Sequence, residues 1–377
     1  MERLVIRPRE NWQELVESQG LTYHTIDSSA YWDESACYRF TSGEIDTLEG
    51  ATEELHRLCL EAVEQVIRRD LFDRLRIPRE FVPLVVRSWE MKEPSLYGRF
   101  DLSYDGSAPP KLLEYNADTP TALLEASVIQ WFWLKDRFPE ADQFNSIHEK
   151  LIDFWREWPY LRNGPVHFAC AGESAEDLGN TEYLMDTALQ GGMEVVHLFI
   201  EDIGWDSAAR CFADLDGGPI HTLFKLYPWE WMMREEFGGF LRDAPLRILE
   251  PPWKMILSNK GILPILWELF EGHPNLLPSS FGRGGIRGDY VRKPLISREG
   301  ENITIFSGSE TVETPGSYGE EGWIYQAYAP LPCFDGNHAV IGSWIIGGAA
   351  AGIGIREDTG PVTTNTSRFV PHFFEED

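Results

Sequence analysis

Tyr97-Gly98-Arg99-Phe100-Asp101 and, beyond a turn at Asp105-Gly106-Ser107, Lys111-Leu112-Leu113-Glu114-Tyr115-Asn116 read as the two strands of one hairpin. Alternation along a strand sends residues two apart to the same face. Arg99 and Asp101 therefore share a face, as do Glu114 and Asn116, and pairing would gather all four. Two carboxylates and an amide oxygen are hard ligands suited to a Mg²⁺ ion that keeps waters and phosphate oxygens. An arginine beside them meets phosphate charge bidentately. The same pattern also suits the solvated face of an edge hairpin, so cations elsewhere in the chain decide its meaning.

Two lysines supply such cations. Lys260, in Leu257-Ser258-Asn259-Lys260-Gly261, falls at a predicted helix start, where the helix dipole favours anions and a cation implies an anionic ligand. Lys293, in Tyr290-Val291-Arg292-Lys293-Pro294, falls in an apolar strand, where a lone ammonium is costly. Each lysine taken alone also reads as a snorkelling surface residue. The turn Ser297-Arg298-Glu299-Gly300-Glu301-Asn302 follows, with a glycine that lets backbone amides approach phosphate.

Further out, Thr52-Glu53-Glu54 opens a helix with Leu55, Leu58, Ala62, Val66 and Ile67 on one face. Helices are also expected from about 121 to 138 and through Ile147, Leu151, Phe154 and Trp158. After Asn163-Gly164-Pro165, a strand (166–169), a helix (176–189) and a strand (193–200) make one β-α-β unit. A helix over 258–270 precedes short strands at 290–294, 302–306, 323–328 and 338–346. Gly347-Gly348 and Gly352 to Gly354 read as hairpin turns, with Arg356 facing whatever that sheet covers. The fold class is α+β with one α/β lobe, in approximate sub-lobes 1–162, 163–250 and 251–377.

The chain of 377 residues has a net charge of −28, which disfavours nucleic acid and anionic lipid and favours cationic partners such as a polyamine. No apolar run is long enough to cross a bilayer, and the N-terminus lacks a signal-peptide pattern, so a cytoplasmic location is expected. Five scattered cysteines without a C-x-x-C read as buried, reduced thiols. No nucleophile elbow or histidine metal motif occurs, and most of the 14 tryptophans, among them Trp131, Trp133, Trp155 and Trp158, fall on apolar helical faces.

Together these segments resemble the synthetase domain of the glutathionylspermidine synthase family, in particular its amidase-less acid–amine ligase branch. The motifs that carry the resemblance run from Pro94 to Asp101, Leu113 to Thr121, Lys225-Leu226-Tyr227-Pro228-Trp229-Glu230, Ser258-Asn259-Lys260, Lys293-Pro294 and Gly352 to Asp358. The resemblance implies an ATP-grasp-like fold, ATP and Mg²⁺ as cofactors, and small-molecule carboxylic acid and amine substrates, and it leaves a homodimer open. By similarity, Asp101, Glu114 and Asn116 would hold Mg²⁺, and Arg99 would steady the transferring phosphoryl group. Lys260 and Lys293 would contact ATP, Gln326 to Tyr328 would form the adenine-side hinge, Arg298 would sit on a lid, and Arg356 would face the reacting centre. Thr119, Thr121, Glu176 and Asp177 occupy positions resembling substrate contacts. The implied mechanism is two-step: the substrate carboxylate takes the γ-phosphoryl group, and an amine then displaces phosphate.

The chain departs from the family pattern in three places. Since it starts directly in the synthetase, amidase activity is not expected. The family's lid pattern, Gly-Arg-x-Gly-x-Asn, is met with Ser297 for the first glycine and with acidic Glu299 and Glu301, awkward beside phosphate. Leu226 stands where glutathionylspermidine synthases have a threonine that helps bind glutathione. An ATP-binding scaffold without ligase chemistry is the alternative from another class. A carboxylate-pair glycoside hydrolase leaves Arg99 and the lysines without a role.

Overall fold

A computed structural model describes residues 1–375 apart from Asp27 and residues 159–163; the expected boundary at Asn163 lies outside the described residues. The hairpin pairs antiparallel, with Arg99 opposite Asn116 and Asp101 opposite Glu114. Phe100 and Tyr115 stack at 4.0 Å on its other face, so the alternation that exposes the four polar residues also anchors the hairpin in the core. The hairpin is one edge of a larger antiparallel sheet, in which Tyr97–Ser103 pairs with Asn337–Ile346, followed by Ala349–Asp358 and Arg368–Val370.

A second antiparallel sheet holds Tyr290–Pro294 between Trp323–Ala327 and Thr304–Ser307. The expected β-α-β unit is present as Val166–Cys170, Ala175–Gln190 and Val195–Phe199, within a parallel sheet that adds Thr222–Leu226 and Arg247–Leu249. A three-stranded sheet sets Ala36–Thr41 between Glu2–Val5 and His372–Glu375. Among the described residues no helix is long and apolar enough to cross a membrane.

Several local expectations need correction. The helix expected from Thr52 spans Ser42–Arg68; it begins at Thr41, whose hydroxyl accepts from the Glu44 amide while Glu44 returns the bond to the Thr41 amide. That reciprocal cap satisfies donors the first turn leaves open. The helix expected over 258–270 is two pieces, Met255–Ser258 and Ile262–Leu269, and Lys260 lies in the break. Gly347-Gly348 do form a turn, with φ of 59° and 90°. Gly352 and Gly354 instead lie inside the strand Ala349–Asp358. A Cβ there would come within 2.8 Å of the Phe144 carbonyl and 2.7 Å of the Phe369 ring, so close packing rather than turning requires these glycines. Four cysteines are buried, but Cys333 is exposed.

Candidate active site

The hairpin's polar face forms the floor of a cleft of about 480 Å³. Lys293, Gln326 and Tyr328 come to it from the second antiparallel sheet and the residues just after it. Ala171, Leu226 and Tyr227 come from the carboxyl ends of the parallel strands, a usual place for ligand clefts in open α/β sheets. Of the residues singled out in the sequence, Arg99, Asp101, Glu114, Asn116, Thr119, Thr121, Glu176, Asp177, Lys293, Arg298, Gln326, Tyr328 and Arg356 all line this cleft. Lys260 does not line it; it stands behind Glu114 at 3.2 Å.

On the floor, Arg99 donates Nε to Asp101 Oδ1 at 2.7 Å, Nη2 to Oδ2 at 3.1 Å, and Nη1 to the Thr121 carbonyl at 2.8 Å. A Cβ at Gly342 would sit 2.8 Å from Arg99 Cδ, so that glycine makes room for the arginine stem. Asn116 Nδ2 donates to Asp101 at 3.2 Å and to Glu114 at 3.4 Å, which places two carboxylates and an amide around one point. Burial pushes the Glu114 carboxyl up, but the charges of Lys260 and Lys293 outweigh it and hold it at about 2. Burial likewise raises the Asp101 carboxyl, against the pull of Arg99. Lys293 Nζ donates to the Leu113 carbonyl at 2.8 Å, and burial lowers its ammonium to about 8 despite Glu114. Gln326 Nε2 donates to the Leu112 carbonyl at 3.1 Å.

The turn at residues 295–303 lines the cleft with Arg298, Glu299, Gly300 and Ile303. Its Arg298 donates to the Thr119 hydroxyl and, at 3.1 Å, to Glu230, and lies 5.5 Å from the centre of the Trp231 ring. Gly300, at φ 70°, packs where a Cβ would meet the Thr363 carbonyl at 2.5 Å. Arg356 Nη2 donates to the carbonyls of Thr364, Asn365 and Ser367, at 2.7, 3.0 and 3.0 Å. The Nε atoms of Arg298 and Arg356 are buried without a partner. Glu301 turns away from the cleft and accepts from the Ser317 amide at 3.2 Å.

Sequence reasoning quoted Glu230 within a motif but did not see it as the clasp for Arg298. It also gave no role to Trp231 or Glu299, both of which line the cleft. The signal for Trp231 was its neighbour: a tryptophan beside an acidic residue, just past the buried Lys225–Asp118 pair that fixes this corner.

The arrangement defines a mixed α/β protein built around a cleft of cations and carboxylates between two antiparallel sheets. Its fold resembles that of a glutathione synthetase-like effector from Globodera pallida, with a TM-score of 0.58 over 97% of this chain and 95% of that one at 10% identity. The family described as "Glutathionylspermidine synthase preATP-grasp" matches residues 3–375. A Haemophilus influenzae chain provisionally named an acid–amine ligase is 42% identical, over 94% of both chains. The trypanothione synthetase of Crithidia fasciculata is 31% identical over 84% of this chain and 53% of its own length. The bifunctional glutathionylspermidine synthetase/amidase of Escherichia coli is 29% identical over 89% of this chain and 58% of its own length. The chain thus spans little more than half of these two longer relatives. It belongs to the glutathionylspermidine synthase family, and its enzyme class is that of the ligases that form carbon–nitrogen bonds.

Proposed function

We propose that the chain is an ATP- and Mg²⁺-dependent acid–amine ligase of ATP-grasp type that works through an acyl phosphate. The observation that carries this reading is the meeting of Arg99, Asp101, Glu114 and Asn116 with Lys293, Arg298 and Arg356 in one cleft. The donor set suits the hard cation. The Asp101 and Glu114 carboxylates converge on the Asn116 side-chain amide, whose oxygen would ligate once the amide turns over, and Glu114 is held ionised by its lysines. The two buried, unpartnered arginine Nε groups suit phosphate oxygens. When bound, Mg²⁺ supplies charge neutralisation for the transferring phosphoryl group.

The remaining chemistry falls to the chain's own groups. Arg99, oriented by Asp101 and the Thr121 carbonyl, is positioned to meet charge that develops on the phosphoryl oxygens. Lys293 adds a second cation from the opposite sheet, and Arg298 closes the cleft against water through its hold on Thr119 and Glu230. Such a site needs positioning and charge rather than a protein nucleophile. Tyr328 and Gln326 form the adenine side in this reading, and Thr119, Thr121, Glu176 and Asp177 the substrate side.

In the same reading a small carboxylic acid and an amine are the partners, in a cytoplasmic setting, and a peptide acid and a polyamine are the favoured pair. The division into 1–162, 163–250 and 251–377 stands as a proposal for how the chain is assembled. The test is ADP release over a matrix of acids and amines, glutathione and spermidine included, with mass spectrometry of the product. Turnover that survives Lys293→Met or Asp101→Asn unchanged would refute the reading.

A further inference from the structure

The cleft is divided by charge. Among the described residues its cations are Arg99, Lys293, Arg298 and Arg356. Arg99 and Lys293 belong to the floor, beside Asp101 and Glu114, and Arg356 is held by three backbone carbonyls. The wall at the carboxyl ends of the parallel strands is different. Ala171 follows Val166–Cys170, Leu226 ends Thr222–Leu226, and Cys170 stands opposite Leu226 in the sheet. With Pro120, Tyr227, Pro228 and Trp231 they make an apolar surface on the cleft. Lys225, one residue away, turns instead into its buried pair with Asp118. Arg298 reaches the edge of this wall, 5.5 Å from the centre of the Trp231 ring, but its charge is met there by Glu230.

Trp231 keeps 38% of its surface exposed, an unusual state for a tryptophan in a folded chain. It is held rather than loose. Its ring meets Tyr227 edge-on at 5.4 Å, and the Tyr227 hydroxyl donates to Glu235 at 2.6 Å. The polar groups that border this platform are acids: Glu173, Glu176 and Asp177 all line the cleft beyond Ala171. Burial and then the Glu176 charge bring the Asp177 carboxyl up to about 6, so this end resists further negative charge. The same two first-turn acids already offset the dipole of the helix Ala175–Gln190. A substrate carboxylate set on the wall would lose its water, find no uncommitted cation and face like charges. An apolar group there would lose only water, which is favourable.

We propose that Leu226 and Trp231 are specificity-determining residues for the acid substrate, and that the wall they form selects acids with one carboxylate, at the reacting end, and an uncharged apolar tail. The reacting carboxylate belongs at the hairpin floor, where Arg99 and Lys293 supply positive charge, and the tail lies against Leu226 and the Trp231 ring. A diacid of the same length leaves its second carboxylate on the apolar wall and is rejected by the cost of burying it there. The proposal rests on the ligase reading above for its place in turnover, while the binding preference is measured without turnover.

The test uses the full chain with Mg²⁺ and a non-hydrolysable ATP analogue, and two matched pairs of acids: hexanoate against adipate, and N-acetyl-leucylglycine against N-acetyl-glutamylglycine. Dissociation constants from ligand-detected NMR titration should favour the monoacid of each pair by about tenfold or more. Leu226→Ala and Trp231→Ala should each weaken the monoacids about fivefold, with affinity for the ATP analogue within about twofold of wild type. Trp231 is exposed, so its variant keeps the test open if Leu226→Ala does not fold. Trp231→Lys should reverse the order within each pair. Equal or tighter binding of the diacids, no binding of any of the four acids, or variants that weaken the ATP analogue as much as the monoacids would overturn the proposal. ADP release driven by the diacids alone would overturn it and leave the ligase reading standing. Monoacid binding as expected, with no ADP release for any acid and amine, would refute the ligase reading and leave the acid wall standing.

Discussion

The Lys260 ammonium lies 3.2 Å from the Glu114 carboxylate and donates to the Ser297 carbonyl at 2.8 Å, so one side chain ties the hairpin to the turn at residues 295–303. Lys260→Met keeps much of the stem and deletes both ties. ADP release should fall by about two orders of magnitude, the scale of losing one oriented charge at a phosphoryl site, with a smaller loss in Lys260→Arg. Steady-state kinetics of the two variants check this, and equal losses would show that charge alone is not what Lys260 supplies.

Asp101→Asn keeps the shape of the floor and removes one of its two carboxylates. Arg99 would keep its bond to the Thr121 carbonyl, so its direction should persist. The Mg²⁺ concentration giving half-maximal ADP release should rise on the order of tenfold. Titration of Mg²⁺ at saturating ATP measures it, and an unchanged requirement would remove Asp101 from the ion's ligands.

Gly342→Ala tests the room left for Arg99. The added Cβ would stand 2.8 Å from Arg99 Cδ, and the arginine stem is flexible enough to move aside. We expect kcat to fall about tenfold to a hundredfold, because a displaced guanidinium no longer meets the reacting phosphoryl group. The melting temperature should change little, and comparison of kcat with thermal unfolding separates the two effects.

Burial and the Glu176 charge push the Glu125 carboxyl from an ordinary 4.5 up to about 7. The folded state therefore binds more protons than the unfolded state between those values, and stability falls as pH rises through that window. The cost is absent below the lower value and complete above the upper one, where it is on the order of 3 kcal/mol. Glu125→Gln removes the titration, so urea melts should show the variant gaining on wild type as pH rises from about 4.5 to about 8, by roughly that amount. A difference between the two proteins that stays constant with pH would contradict it.

The hairpin floor was legible because its chemistry is local: four polar residues, two apart on each strand, and apolar neighbours that must face the core. Lys293 was legible as an ammonium in an apolar strand, and the β-α-β unit by its periodicities. What escaped depends on residues far apart in sequence. Gly352 and Gly354 carry the same signature as a turn until Phe144 and Phe369 are known to press on them. The true start of the helix Ser42–Arg68 was written as Thr41-Ser42-Gly43-Glu44, but Gly43 and Gly50 weaken the pattern ahead of Thr52. The clasp of Arg298 on Glu230 joins two turns far apart in the sequence, which no short-range pattern records.

The strand His372–Glu375 runs parallel to Ala36–Thr41 and shares it with Glu2–Val5, while the buried Glu357 carboxylate binds Arg3 and the Tyr38 hydroxyl. The strand Ala36–Thr41 therefore waits for a partner that is synthesised more than 300 residues later, and this sheet has no complete form until residue 375 has left the exit tunnel. A nascent chain stalled before that point would present an unpaired edge to chaperones rather than a finished lobe.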